Sequence, residues 1–143
     1  MVQKCIEKRT VSVAAAQIAT EAAIAHAKEN GYSISVAVVD HGARLIAFLR
    51  DDGTFFPSGD IAIDKAKTAA GFGVASGDLY EVVKGGDAVL RGLTSRPGAA
   101  LFGGGVPIFL DGFVIGAIGV SGGTEDQDVE CAKAGAAAVV AWK

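Results

Sequence analysis

At 143 residues, 50% apolar and 20% charged, the chain is long enough for one domain with a buried core and too apolar to be disordered. A net charge of −3 argues against a nucleic-acid partner, and no apolar run approaches the ~20 residues of a membrane span. No leader-like opening precedes the first polar residues, and Cys5 and Cys131 have no zinc spacing, so a cytoplasmic protein with reduced thiols and no metal is expected.

In chain order, residues 1–9 form a lead-in arm. Thr10 or Ser12 caps a helix that runs to about Asn30, where Gly31 ends it in the left-handed conformation. Val11, Ala15, Ile18, Ala22 and Ala25 recur at four- and three-residue spacing, giving a buried face of mostly small side chains. Residues 32–39 and 44–50 are strands joined at Asp40-His41-Gly42-Ala43 into a hairpin. Residues 51–57 are a loop, and Ser58 or Asp60 opens a helix to about Val74 on which Ile61, Lys65, Thr68 and Phe72 share a face. A short helix or turn covers 78–84, the pattern over 87–96 is ambiguous, and Arg96-Pro97-Gly98 is a turn. Two further strands, 106–110 and 113–120, meet at Asp111-Gly112, a pair suited to the positive φ angles of a tight hairpin. Thr124 caps the closing helix, 125–142, with Glu125, Asp126 and Asp128 in its first turn. Hairpins alternating with helices imply an α+β fold on a mainly antiparallel sheet, without the βαβ crossovers of a Rossmann fold.

The chain has twenty glycines, about twice ordinary usage, and five of them sit at the mouths of the second hairpin, at Gly103-Gly104-Gly105 and Ser121-Gly122-Gly123. Gly119-Val120-Ser121-Gly122-Gly123 matches a nucleophile elbow, but both histidines, His26 and His41, lie upstream of the serine, which a hydrolase of that type does not allow. The same geometry serves either as an anion site of free N–H groups at a helix start or as a plain capped turn. Arg50, Asp51 and Asp52 follow a strand end beside Phe55, Phe56 and Pro57, a setting for a pocket wall, a subunit contact or a solvated turn. Lys65 is either a surface lysine or a cleft cation, and a base if desolvated. His26 suits the dipole at its helix end, and His41 is either an exposed turn residue or a ligand to a metal or haem iron.

Three stretches, VAVVDHGARLIAFLRDDG at 36–53, SGDIAIDKAKTAA at 58–70 and GGGVPIFLDGFVIGAIGVSGGTEDQD at 103–128, together resemble the GlcG/HbpS family, also seen as the C-terminal domain of PduO-type proteins. The resemblance spans nearly the whole chain. It implies a single 1–143 domain, a profilin-like sheet of about five antiparallel strands flanked by helices, and assembly as dimers or larger homo-oligomers. It implies a pocket at Arg50, Asp51, Lys65, Gly103, Gly104, Gly105, Ser121, Gly122, Gln127 and Asp128, and a haem-binding or organic-acid-binding role.

Two functional expectations follow. The first is a small-molecule-binding protein whose ligand is haem or a small organic acid, with Phe55, Phe56 and Val106 as apolar wall, Lys65 and glycine amides orienting an anionic group, and His41 as the axial ligand if haem binds. The second is a cofactor-free isomerase, hydratase or lyase acting by proton transfer on a small oxo- or hydroxy-acid, with Asp51 or Asp128 as base and Lys65 or the amides at Gly104 and Gly105 stabilising an enolate. A module whose glycine and alanine faces only build an oligomer is the third.

Overall fold

The computed structural model describes residues 2–143. Five helices and four strands follow in the order α1 (Val13–Glu29), β1 (Ser35–Asp40), β2 (Leu45–Arg50), α2 (Pro57–Phe72), α3 (Ser76–Val83), α4 (Asp87–Thr94), β3 (Gly105–Leu110), β4 (Phe113–Ser121) and α5 (Glu125–Ala141). The strands form one antiparallel sheet ordered β2-β1-β4-β3. The sheet therefore has four strands rather than about five.

Local chemistry sets most boundaries. Ser12 caps α1 by accepting the Ala15 N–H at 3.1 Å. Thr124 and Gln127 form a reciprocal capping box on α5, at 3.2 and 3.0 Å. Asp111 and Gly112 both take positive φ, 51° and 81°, as a tight hairpin turn requires. Three boundaries differ from expectation. Pro57 opens α2 with its fixed φ, so the helix starts ahead of Ser58 and without a side-chain cap, and it stops at Gly73. The stretch 32–34 lies outside β1, which begins at Ser35. The ambiguous 87–96 segment is a helix, α4, none of whose residues is buried.

The strands alternate between two apolar layers. Val36, Val38, Ile118 and Val120 face α1 and α5, which contribute Ala15, Ala16, Ala19, Ala23, Ala132 and Ala136. Ala37, Val39 and Ala117 face α2, which contributes Ala62, Ala66 and Ala69. With mostly methyl groups between them, α2 comes to backbone contact with the sheet at Gly119. A Cβ built on Gly119 would meet the Ala62 carbonyl oxygen, with the Ala66 nitrogen 2.6 Å away. Any side chain there must push the helix off the strand. Gly119→Ala is therefore expected to lower the unfolding free energy by roughly 1–3 kcal/mol in a urea titration. An unchanged midpoint would show that α2 does not rest on β4 in solution.

Candidate ligand site

β1 runs antiparallel to both β2 and β4, so the sheet has two functional ends. At one end Ser35 pairs with Arg50 and with Ser121. At the other, Asp40 is opposite Gly116, and the two hairpin turns lie side by side.

The first end gathers most of the residues that the sequence marks as a pocket. It is filled. Lys65, expected on a cleft wall or on the surface, is only 1% exposed, because it lies on the buried α2 stripe between Ala62, Ala66 and Ala69. Its ammonium donates to Asp128 Oδ2 and to the Val120 carbonyl, both at 2.9 Å, and sits 4.7 Å from the centre of the Phe102 ring. Asp128, 3% exposed, uses its second oxygen to accept the Gly123 N–H at 2.9 Å. The pair thus joins α2 to α5 around the end of the sheet. Burial pushes the Asp128 carboxyl above the usual carboxylate range, against the opposing pull of Lys65 and of the Gly123 N–H.

The glycine loops close over this pair. Gly104 has φ 132°, and a Cβ there would come within 2.5 Å of the Val120 carbonyl and 2.7 Å of the Lys65 ammonium. Gly103, Gly105 and Gly122 abut Glu125, the Lys65 carbonyl and the Ser33 carbonyl in the same way. Ser121 is buried, and Gln127 is engaged in the α5 cap. As the structure stands, the Lys65 and Asp128 side chains have no open face toward a substrate, while Gly122 and Gly123 are half-buried. Arg50 and the two phenylalanines are outside: Phe55 and Phe56 are exposed, and the Arg50 guanidinium lies 5.0 Å from the centre of the Phe56 ring. Asp51 organises its own loop, accepting the Asp52 N–H at 2.8 Å with its carboxylate.

The opposite end is hollow. A cleft of about 360 Å³ is lined by Glu7, Lys8, Arg9, His41, Phe113 and Val114. The arm reaches it because Val11 N–H donates to the Ile115 carbonyl at 2.8 Å and the His41 N–H donates to Thr10 Oγ1 at 2.9 Å. Arg9 is held in place twice, 3.1 Å from Asp111 and 4.9 Å from the centre of the Phe113 ring. His41 Nδ1 lies 2.9 Å from the Val114 carbonyl oxygen. A carbonyl only accepts, so Nδ1 carries the proton, and in the neutral ring Nε2 keeps its lone pair. Lys8, Arg9, Phe113 and Val114 are not marked by sequence reasoning, because their meeting depends on β1 pairing with β4 across most of the chain.

A family profile described as "Haem degrading protein HbpS-like" matches residues 11–137. The chain belongs to the HbpS-like family. An uncharacterised 15.0 kDa protein from the dhaT–dhaS intergenic region of Citrobacter freundii is 40% identical over 121 residues, 83% of this chain and 84% of that one. Among solved structures, Klebsiella pneumoniae ORFY superposes with a TM-score of 0.94 at 30% identity, covering 100% of this chain and 99% of ORFY. PduOC, solved as a haem complex, superposes with a TM-score of 0.79 at 29% identity, covering 90% and 94% of the two chains. These matches bear out the GlcG/HbpS resemblance and the α+β fold. Among the described residues of this HbpS-like chain, no helix is long and apolar enough to cross a membrane, and no cluster of acidic, histidine and cysteine residues could hold a metal ion.

The buried pair makes a prediction that separates charge from packing. Asp128→Asn keeps the acceptor for Gly123 but strands the Lys65 ammonium, and is expected to cost about 3–5 kcal/mol in chemical denaturation. The Lys65→Met, Asp128→Asn double variant is expected to recover much of that loss. Lys65→Met alone removes the cation that pulls the Asp128 carboxyl down, so its folded-state proton affinity rises further above the unfolded value. A group shifted upward stabilises the fold below its unfolded pKa and loses that contribution as pH rises through the folded one. The single variant should therefore gain stability relative to wild type as pH falls. Parallel pH profiles would show that the pair is not buried.

Proposed function

We propose that the chain is a haem-binding protein that holds the tetrapyrrole at the His41 end of the sheet. The observation that carries this reading is the hydrogen bond from His41 Nδ1–H to the Val114 carbonyl. An imidazole whose far nitrogen is fixed by a backbone carbonyl presents Nε2 as a pre-oriented, more basic donor, the arrangement favoured for metal-ligating histidines. The neighbours suit the rest of such a ligand: Phe113 offers an aromatic wall, while Lys8 and Arg9 offer cations to propionate groups. Membership of a family with a haem-complexed relative supports the same reading. Bound haem would supply iron-centred ligand-exchange or redox chemistry. The chain's own part is to hold His41, to anchor Arg9 through Asp111, and to cover one side of the group with the arm.

Titration with haemin is expected to give a shifted Soret band that His41→Ala abolishes or weakens at least tenfold, while His26→Ala leaves the wild-type spectrum. A wild-type spectrum from His41→Ala would remove His41 as the axial ligand.

The proposal extends to a homo-oligomer. β2 is a sheet edge that is apolar on both faces, with Leu45, Phe48 and Leu49 exposed and continuous with Phe55 and Phe56, the latter 78% exposed. Such an edge without proline or lysine favours pairing between copies. Light scattering is expected to show a multimer whose mass falls toward that of one chain in a Leu49→Lys, Phe56→Asp variant. A wild-type monomer would contradict this.

A further inference from the structure

A second cleft lies against α2 and shares no lining residue with the His41 cleft. It has a volume of about 330 Å³ and is formed by α2, the C-terminal part of α4 and the turn that leads to β3. Its floor is apolar: Phe72, Leu93 and Leu101. The turn is pinned to α2 through one hydroxyl. Thr68 Oγ1 accepts the Ala100 N–H at 3.0 Å, and donates to the Asp64 carbonyl at 2.8 Å or to the Gly98 carbonyl at 3.3 Å. Gly98, with φ 78°, lets the backbone turn there, beside Asp64 and Lys67.

Two cations line the rim, Lys67 from α2 and Arg96 from the turn. Arg9, Lys65, Lys84 and Arg91 all have a carboxylate partner. Lys67 and Arg96 make no ion pair or side-chain hydrogen bond among the described residues. The third charged group, Asp64, is half-buried, and burial pushes its carboxyl above the usual range although Lys67 pulls it down.

We propose that this cleft binds a small monocarboxylate with an apolar chain. The carboxylate lies between Lys67 and Arg96, and the hydrocarbon covers Phe72, Leu93 and Leu101. Asp64 lines the same cleft close to Lys67, so with the two cations the cleft accommodates one added negative charge and not two. A dicarboxylate of similar length is rejected. α4 takes part through Leu93, which is only half-buried, so a ligand against it adds to the apolar cover of that helix.

The test is an amide NMR titration of the whole chain with sodium hexanoate, with succinate and sodium chloride at matched ionic strength alongside. Affinity on the order of millimolar suits a ligand of about eight non-hydrogen atoms. The expected shifts are confined to the residues that line the cleft, with the largest at Lys67, Phe72, Leu93, Arg96, Gly98 and Leu101. Arg96→Gln and Lys67→Met each weaken the binding about tenfold, the loss of one charge-assisted hydrogen bond. Asp64→Asn admits succinate. Equal shifts with chloride, hexanoate shifts elsewhere, or undiminished binding in both cation variants would overturn the proposal. The outcome is independent of haemin binding, which is read at His41.

Discussion

The fold depends on how closely α2 lies on the sheet. Ala62, Ala66 and Ala69 on the helix and Ala37, Ala117 and Gly119 on the strands bring two backbones into contact, with no large side chain to hold them apart. So close an approach leaves no apolar space at the end of the sheet for the aliphatic stem of Lys65 to end in water. Its ammonium must find partners inside, and it does so in Asp128, the Val120 carbonyl and the Phe102 ring. A buried ion pair of this kind adds little net stability compared with an apolar pair, but either charge alone is costly. It therefore acts as a register pin, linking the two helical layers that lie on opposite faces of one sheet.

The same packing explains why the two ends of the sheet differ. At the Lys65 end, glycines let loops close on an ion pair, and the space that a ligand would occupy is taken by the protein's own charges. At the His41 end nothing comparable fills the gap between the hairpin turns. The N-terminal arm crosses it on two hydrogen bonds, from the Val11 N–H to the Ile115 carbonyl and from the His41 N–H to the Thr10 hydroxyl, and leaves a groove beneath. Small residues close one end, and an extended arm leaves a groove open at the other.

Elements governed by neighbours in sequence are legible from residue order alone. The Ser12 and Thr124 caps, the Gly31 stop and the Asp111-Gly112 turn all follow from side chains within a few residues of one another. α4 gave no clear pattern because its apolar residues, Val89, Leu90 and Leu93, have no core to face. Lys65 illustrates a different limit. A charge on a helix reads as exposed by default, and the sign that it is not, its place in the row with Ala62, Ala66 and Ala69, has meaning only once the facing strand is known to carry Gly119. The cleft at His41 is less legible still. His41 was marked, but Arg9, Phe113 and Val114 join it only through the pairing of β1 with β4, residues more than seventy positions apart.

The central claim is that ligand binds at the His41 end and not at the glycine-rich mouth. Iron anomalous scattering from crystals of the haemin complex tests it most directly. The account predicts an iron peak in bonding contact with His41 Nε2, between Phe113 and the arm. An iron peak beside Gly104 and Ser121, with the Lys65–Asp128 pair opened, would contradict it.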